Sequence, residues 1–448
     1  MKYKRILVSI LATLTGTASM AIGAGLKVNE QGAKAMAMGN AFTAQADDPS
    51  ALFYNPAGIA FLKGAQVTLG STTIYVPSTE FRGTTPLSGN PPTGVGSTSV
   101  FEKAKQDIFI APAIYATYSF DGMPLSLGLG INSIYPLAKS WDDSSAFRNQ
   151  IMNIAVKPIN FQPTAAYRFD GMNLAVAAGL DITHAIVTMQ TMPYTADPLV
   201  ANTAYETGLM GLDGTATDVG YNFGLKWKPL PNVSFGAAYR SKIDLKITGS
   251  ANFLATTPAG FSAIGMTTGA TSVSSRTRAV STVSTTITLP ESLSLGVAWQ
   301  PTDKLTLEFD AERTGWSSFQ KLEFNFAGAQ FANFNNKPKT LDWKDVWCYK
   351  VGGQYALTKN LDLRAGYMYD INPIPDSTLG PLLPDSDRHS FSIGQGFHND
   401  HFSLDLAYMW THFVARAVNN QDMANLLGEN GTFKSDVHLF GGSITVKF

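Results

Sequence analysis

From about residue 66 to the end of the chain, apolar and polar residues alternate with a period of two, which puts successive side chains on opposite faces of a strand. In Asn232–Thr248, Val233, Phe235, Ala237, Tyr239, Ile243, Leu245 and Ile247 alternate with Ser234, Gly236, Arg240, Lys242, Asp244 and Lys246. The same rhythm recurs through Leu293–Trp299, Leu361–Tyr369 and Phe402–Trp410. It predicts fourteen strands, at 66–80, 108–120, 124–136, 149–169, 172–190, 217–229, 232–249, 284–300, 303–316, 341–357, 360–371, 386–398, 401–417 and 433–448. A soluble sandwich would also alternate, so the connections decide. Short turns such as Asp121-Gly122, Asp170-Gly171 and Thr358-Lys359 alternate with long loops near 81–107, 137–148, 191–216, 250–283, 317–340, 372–385 and 418–432. An even strand number with turns short at one end and long at the other is the pattern of a transmembrane barrel.

Ala24–Gly64 breaks the rhythm. It is rich in Ala, Gly and Met, with Asp48-Pro49 as a helix start and Asn55-Pro56 as a stop two turns later. A barrel of fourteen strands is wide enough to need filling, and this segment is expected inside it. The fold class expected is therefore all-β, a 14-stranded antiparallel transmembrane β-barrel with an N-terminal helical plug, or hatch, in the lumen. Residues 1–23 are expected to be a signal peptide, 24–64 the plug and 65–448 the barrel; Lys2, Lys4 and Arg5 precede an apolar run, and Ala21-Ile22-Gly23 supplies the small residues of a cleavage site.

Composition agrees with export to an outer membrane. Charged residues are 15% of the chain, against roughly 25% in soluble domains. The formal net charge of −1 argues against nucleic acid as a partner. Cys348 stands alone, so no disulfide framework exists. Tyr118, Phe120, Tyr167, Phe169, Trp227, Trp299, Tyr355 and Phe402 gather beside the short turns, as an interfacial girdle would. Phe440, Ile444, Val446 and the terminal Phe448 share one face of the last strand. A monomer surrounded by outer-membrane lipid is the expected state.

Signatures of catalysis are thin, and no enzyme activity, cofactor or metal is expected. Nucleophile-elbow, phosphate-loop and dinucleotide-binding glycine patterns are missing from the sequence. His398 and His401 flank a short turn, but two ligands do not make a metal site. Asp385, Asp387, Arg388 and His389 read as a salt-bridged rim, with a hydrolase as the distant alternative. The outer loops say more. Leu199 and Leu209 in one, and Phe253 and Phe261 in another, place apolar side chains on the exterior or against each other, and either arrangement suits a hydrophobic ligand. Pro136, closing Ser133-Ile134-Tyr135-Pro136, lacks a ladder donor, so the third strand must break there, as a plain strand end or as a side opening.

Several motifs together resemble the outer-membrane long-chain fatty acid transporter family (FadL-type), which includes uptake channels for toluene and related hydrocarbons. They are Ala24-Gly25 with Asn29-Glu30, Asn55-Pro56-Ala57, Ser241-Lys242-Ile243-Asp244, Leu289-Pro290-Glu291, Trp316-Ser317-Ser318-Phe319 and Pro384-Asp385-Ser386-Asp387-Arg388. The resemblance implies passive transport of a long-chain fatty acid or another hydrophobic small molecule. The ligand would be caught between apolar outer loops, held in a lumenal pocket and released sideways at Ser133–Pro136. It implies that Leu26 stands where an aromatic closes the pocket, that Lys339 matches a basic residue meeting the carboxylate, and that Asp370 matches an acidic pocket residue. Asn55, Pro56 and Ala57 become a plug contact facing the side opening. Thr191 aligns with a pocket arginine, leaving one cation instead of two and raising hydrocarbons as the alternative ligand.

Overall fold

The computed structural model describes residues 25–89, 92–196, 204–255, 277–422 and 426–448. Among these the strands follow fourteen paths, each antiparallel to its neighbours. They are β1 (Ala65–Gly89), β2 (Pro92–Lys103 and Asp107–Ser119), β3 (Leu125–Asn132, resumed at Leu137–Ser140), β4 (Asn153–Phe169) and β5 (Leu174–Thr191). There follow β6 (Gly208–Leu230), β7 (Val233–Arg240 and Ile243–Ala255), β8 (Thr277–Leu289 and Ser292–Thr302) and β9 (Leu305–Thr314). The last five are β10 (Val346–Ala356), β11 (Leu361–Asp370), β12 (Arg388–His398), β13 (Phe402–Asn419) and β14 (Asn430–Lys447). Each strand pairs with the next in sequence, and β14 returns to β1 from Gln66↔Lys447 to Thr84↔Asn430. The sheet is a closed barrel, and closure removes the edges that would otherwise leave backbone groups unpaired in lipid.

The alternation sorts side chains as the sequence implies. Leu69, Ile110, Leu127, Leu180, Val219, Leu295, Val351 and Ile393 point outward and are exposed. Their neighbours on the other face are buried and often polar. Aromatic pairs stand on the outer surface beside the short turns: Tyr118 with Phe120, Tyr167 with Phe169, and Phe397 with Phe402. No helix of the described residues is long and apolar enough to cross a membrane, and the spanning elements are strands.

Strands on the long-loop side run further than the pattern predicts. β6 begins at Gly208 rather than near 217, and β7 continues to Ala255 rather than 249. Leu209 pairs with Leu254 and Met210 with Phe253. Of the two arrangements the sequence left open, these two segments pack against each other, but as strands that extend the barrel wall and not as loops. Phe253 is fully buried among Met210, Leu212, Phe326 and Phe331, while Leu209 is half-buried. Leu199 and Phe261 lie outside the described residues.

Residues 25–64 occupy the lumen as short helices, Ala33–Met36 and Ala51–Tyr54, followed by a 3-10 turn at Pro56–Phe61. Asp48 starts the second helical stretch by accepting the amide of Ser50 at 2.7 Å, and Asn55-Pro56 ends it. The segment lies close against the wall. A Cβ at Gly366 would stand 2.0 Å from the carbonyl carbon of Met38, so only glycine admits the plug backbone there.

Candidate functional site: a plugged break in the barrel wall

The site is assembled around an interruption of the β2–β3 ladder. Pairing runs from Ser119↔Ser126 to Ile114↔Ile131 and then stops. The next link is the amide of Lys105 donating to the carbonyl of Ser140 at 2.8 Å. Between them, residues 106–113 of β2 have no β3 partner among the described residues, roughly 25 Å of strand at 3.3 Å per residue. On the other side β3 pairs with β4 at Asn132↔Asn160 and again at Leu137↔Val156. Five steps along β3 therefore face four along β4, and Ser133–Pro136 bulge out of the ladder.

The plug fills this break. Val28 donates its amide to the carbonyl of Ile134 at 2.8 Å. Gln31 holds both backbone groups of Ser133, donating from Nε2 to its carbonyl at 2.6 Å and accepting its amide on Oε1 at 3.3 Å. Tyr115 of β2 donates its hydroxyl to the carbonyl of Gln31 at 2.7 Å. Val28, Phe109 and Ala138 belong to one buried apolar cluster with Phe413 and Val437, so the inner lining of the break is greasy. Ile134 and Tyr135 are buried, and the Tyr135 hydroxyl donates to the carbonyl of Pro290 in the middle of β8 at 2.9 Å.

The plug is held from the opposite side by acids on one lumenal face. Asp310 accepts the amides of Phe42 and Thr43, each at 2.9 Å, and Glu308 accepts those of Ala44 and Gln45 at 2.6 and 3.0 Å. Glu312, two residues on, pairs with Lys27 of the plug at 2.5 Å and with Lys350 of β10 at 3.1 Å. Two carboxyl groups of β9 thus take up four consecutive backbone amides of the plug, so this strand is a principal tether. Asn55 donates to the carbonyls of Thr43 at 2.7 Å and of Leu225 in β6 at 2.9 Å, and caps Ala57 at 3.2 Å. Pro56 and Ala57 pack on Gly224. The expectation that Asn55-Pro56-Ala57 faces the side opening is corrected: the motif faces β6, and Val28 and Gln31 take the opening.

Leu26 is buried in the cluster that contains Tyr135, Trp316, Phe319 and Trp343. Trp316 stacks edge-on with both Tyr135 and Trp343, at centroid distances of 6.0 and 5.0 Å. Preceding Leu26, Gly25 donates its amide to Asp385 at 2.9 Å and adopts φ +60° against both indoles. Burial raises the Asp385 carboxyl above its usual range, opposed by Arg388. Asp370 faces the lumen as expected, but its carboxylate is paired with Arg388 at 2.6 Å. The rim cluster is likewise built of partners: Asp387 accepts from Tyr369 and the amide of Asn372, and His389 bonds the Tyr367 hydroxyl.

Above the break, toward the long loops, Ile154, Met189, Leu212, Ile247, Ile287 and Phe324 enclose an apolar pocket of about 40 Å³. Leu322 completes one wall and pairs with Lys339 in a small hairpin, which sets Lys339 at the pocket's margin. Lys339 makes no ion pair among the described residues. Its side chain is exposed, so the ammonium stays hydrated at the pocket's margin. Glu429 is buried, bonds Gln150 at 2.6 Å and is pushed up to about 7 by desolvation. Thr191 is half-buried at the end of β5 and pairs with Met210; Arg148, whose carbonyl accepts from the next residue, Met192, is paired with Glu206 at 3.4 Å. A separate polar cavity of about 30 Å³, lined by Lys27, Asn222, Arg240 and Glu312, has room for a water or two beneath the plug.

The residues missed by sequence reasoning are Val28, Gln31 and the tether. Glu308-x-Asp310-x-Glu312 carried a signal, since three acids on one strand face must look into the lumen. Val28 and Gln31 carried none, because their partners are backbone groups far along the chain.

Comparison with known proteins agrees with this architecture. The chain is 26% identical to a putative outer membrane protein of Neisseria meningitidis serogroup B, over 97% of both chains. It is 24% identical to outer membrane protein P1 of Haemophilus influenzae, over 92% of this chain and 93% of that one. Among solved structures, a Pseudomonas aeruginosa FadL homologue superposes with a TM-score of 0.79 at 22% identity, covering 96% and 100% of the two chains. The Pseudomonas putida toluene transporter TodX superposes with a TM-score of 0.68 at 16% identity, covering 93% and 98%. Residues 14–448 match the profile of the outer membrane protein transport family (OMPP1/FadL/TodX), and the chain belongs to that family of outer-membrane proteins.

Proposed function

We propose that the protein is a passive channel for hydrophobic molecules, with long-chain fatty acids as its ligands, and that they leave sideways through the β2–β3 break. The observation that carries this is the break itself. There, among the described residues, the ladder between β2 and β3 stops while an apolar lining lies behind it, and the plug rather than a neighbouring strand closes it. A greasy molecule that moves from the apolar pocket to this break and then into lipid never crosses water, so each step keeps its hydrophobic stabilisation. Lys339 at the pocket margin supplies a positive charge for a carboxylate, which favours fatty acids. Leu26 and the aromatic residues around it close the lumen until the plug shifts.

The test is growth and uptake on oleate in a deletion strain carrying the wild-type gene or Lys339→Met. Restored oleate uptake by the wild type, reduced several-fold by Lys339→Met, is expected. A deletion that leaves oleate uptake unchanged removes the proposal. Neutral hydrocarbons are the second reading, favoured by a pocket lining that holds no cation. Relatives described as a toluene transporter and an alkane uptake protein, the latter 26% identical over 36% of this chain, make it worth testing in parallel with toluene and hexadecane.

A further inference from the structure

Lys139 lies just past the break, on the resumed part of β3, and is fully buried. Its ammonium donates to the Thr79 hydroxyl of β1 at 2.7 Å, and this is its only hydrogen bond among the described residues. It forms no ion pair there: Asp107 is near enough to act on it through space but is not bonded to it. Thr79 is a neutral partner that also shares its hydroxyl with Ser435 at 3.2 Å. A buried ammonium with one neutral hydrogen bond is poorly compensated for the hydration it has lost.

The surroundings are unusual too. Three adjacent strands are irregular at this level. In β1 the register with β14 slips between Tyr75 and Ser78, around Pro77. β2 is interrupted between Lys103 and Asp107, and β3 between Asn132 and Leu137. Lys139 therefore sits where three neighbouring strands lose their regular pairing, with the apolar cluster of Val76, Phe109, Ala138, Phe413 and Val437 beside it. On the other flank, Lys139 pairs with Ile154 and Ile154 with Met189, two residues of the apolar pocket.

We infer that Lys139 is a second anion-holding residue, which takes the carboxylate of an amphiphilic ligand at the wall break while the ligand's chain lies on the neighbouring apolar lining. A long-chain carboxylate supplies both what the ammonium lacks and what the lining accommodates. A neutral hydrocarbon supplies only the second. This inference rests on the transport reading above and adds the site where the charged end would be held on its way out. It also adds to Lys339 a cation with no carboxylate bonded to it among the described residues, from a strand other than the one where the family pattern would put an arginine.

The experiment compares wild type, Lys139→Met, Lys139→Gln and Lys139→Arg in the deletion strain, with radiolabelled oleate and radiolabelled hexadecane measured side by side. Folding is checked by the heat-dependent shift in electrophoretic mobility. Lys139→Gln keeps a hydrogen-bond donor for Thr79, so it remains informative if Lys139→Met does not assemble. Loss of a charge-assisted contact is expected to lower oleate uptake about tenfold in both neutral variants. Hexadecane uptake should be unchanged, and Lys139→Arg should stay near wild type. Unchanged oleate uptake in the neutral variants overturns the inference, as does equal loss for both compounds, which would mark Lys139 as a strut between β1 and β3. Wild type that takes up hexadecane but not oleate overturns it together with the fatty-acid reading and leaves the neutral-hydrocarbon channel standing, whereas oleate uptake that the neutral variants leave untouched overturns the Lys139 inference alone. Uptake of neither compound removes both.

Discussion

The backbone amide of Val28 donates to the carbonyl oxygen of Ile134 at 2.8 Å, and this main-chain bond joins the two Gln31–Ser133 bonds in tying the plug to the wall where β3 leaves β2. Main chains joined in this way stand about 5 Å apart at Cα, close enough for a disulfide. The double substitution Val28→Cys and Ile134→Cys is therefore expected to cross-link on oxidation. Cys348 is buried and will not compete. If the plug must withdraw for the ligand to leave, oxidised protein should lose oleate uptake and regain it with reductant. Full uptake through a protein shown by mass to be cross-linked would refute withdrawal at this point.

Gly366 and Gly236 are the wall glycines that a Cβ would drive furthest into the plug backbone, each to 2.0 Å. A side chain at Gly366 meets the carbonyl carbon of Met38 at 2.0 Å and the amide of Gly39 at 2.1 Å. Backbone cannot move aside as a flexible side chain does, and overpacking of this kind costs about 1–3 kcal/mol. Gly366→Val should leave β11 in the barrel, since valine suits a strand, and push the plug off its seat. Heat-dependent electrophoretic mobility is expected to stay that of a folded barrel, while limited proteolysis begins to cut within residues 25–64. A plug as protease-resistant as wild type would contradict this.

The barrel was legible because alternation and loop length are local signals repeated around its circumference. All fourteen strand paths coincide with stretches marked by period-two patterning. Leu209 and Phe253 left exposure and mutual burial open, because apolar residues in a nominal loop have the same spelling whether they face water or extend a strand over a loop from elsewhere, here Phe326 and Phe331. The break in β3 was legible from Pro136, which cannot donate to a ladder. Its closure was not, because Gln31 reaches Ser133 across 102 residues and uses backbone groups that every residue possesses. Lys139 reads in sequence as one polar residue in a loop, and only the fold shows it buried without a carboxylate.

Glu429 gives the outer loops a pH dependence with a definite sign. Burial lifts its carboxyl from about 4.5 to about 7, and its bond from Gln150 only partly compensates. Between those values the folded loop binds a proton that the unfolded chain has released, so stability falls as pH rises through this window and levels off above it. The full swing is on the order of 3 kcal/mol. Protease resistance of the outer loops should drop from pH 5 to pH 8 in wild type, and Glu429→Gln, which cannot ionise, should flatten the profile. A variant whose profile still falls as steeply would place the titrating group elsewhere.

The count of residues through the break yields the sharpest test of lateral release. Asn132 and Leu137 both face the lumen, yet they are five residues apart, an odd number that a regular strand would place on opposite faces. Continued from Ile131↔Ile114, the β2 register would set inward-facing Leu137 opposite outward-facing Ile108, so the two strands cannot pair through this stretch and meet again only where Lys105 bonds Ser140. Deleting Pro136 makes the interval even. Leu137 then falls opposite Phe109 on one side and keeps Val156 on the other, all three buried toward the lumen, and the residue without a ladder donor is gone. The deletion is expected to seal the wall, leave the barrel folded and inserted, and abolish oleate uptake. Pro136→Val restores a donor but keeps the extra residue, so it should leave the bulge and most of the uptake in place. If the deletion variant reaches the outer membrane and transports normally, the ligand leaves by another route; if Pro136→Val blocks as completely as the deletion, the missing donor rather than the register holds the wall open.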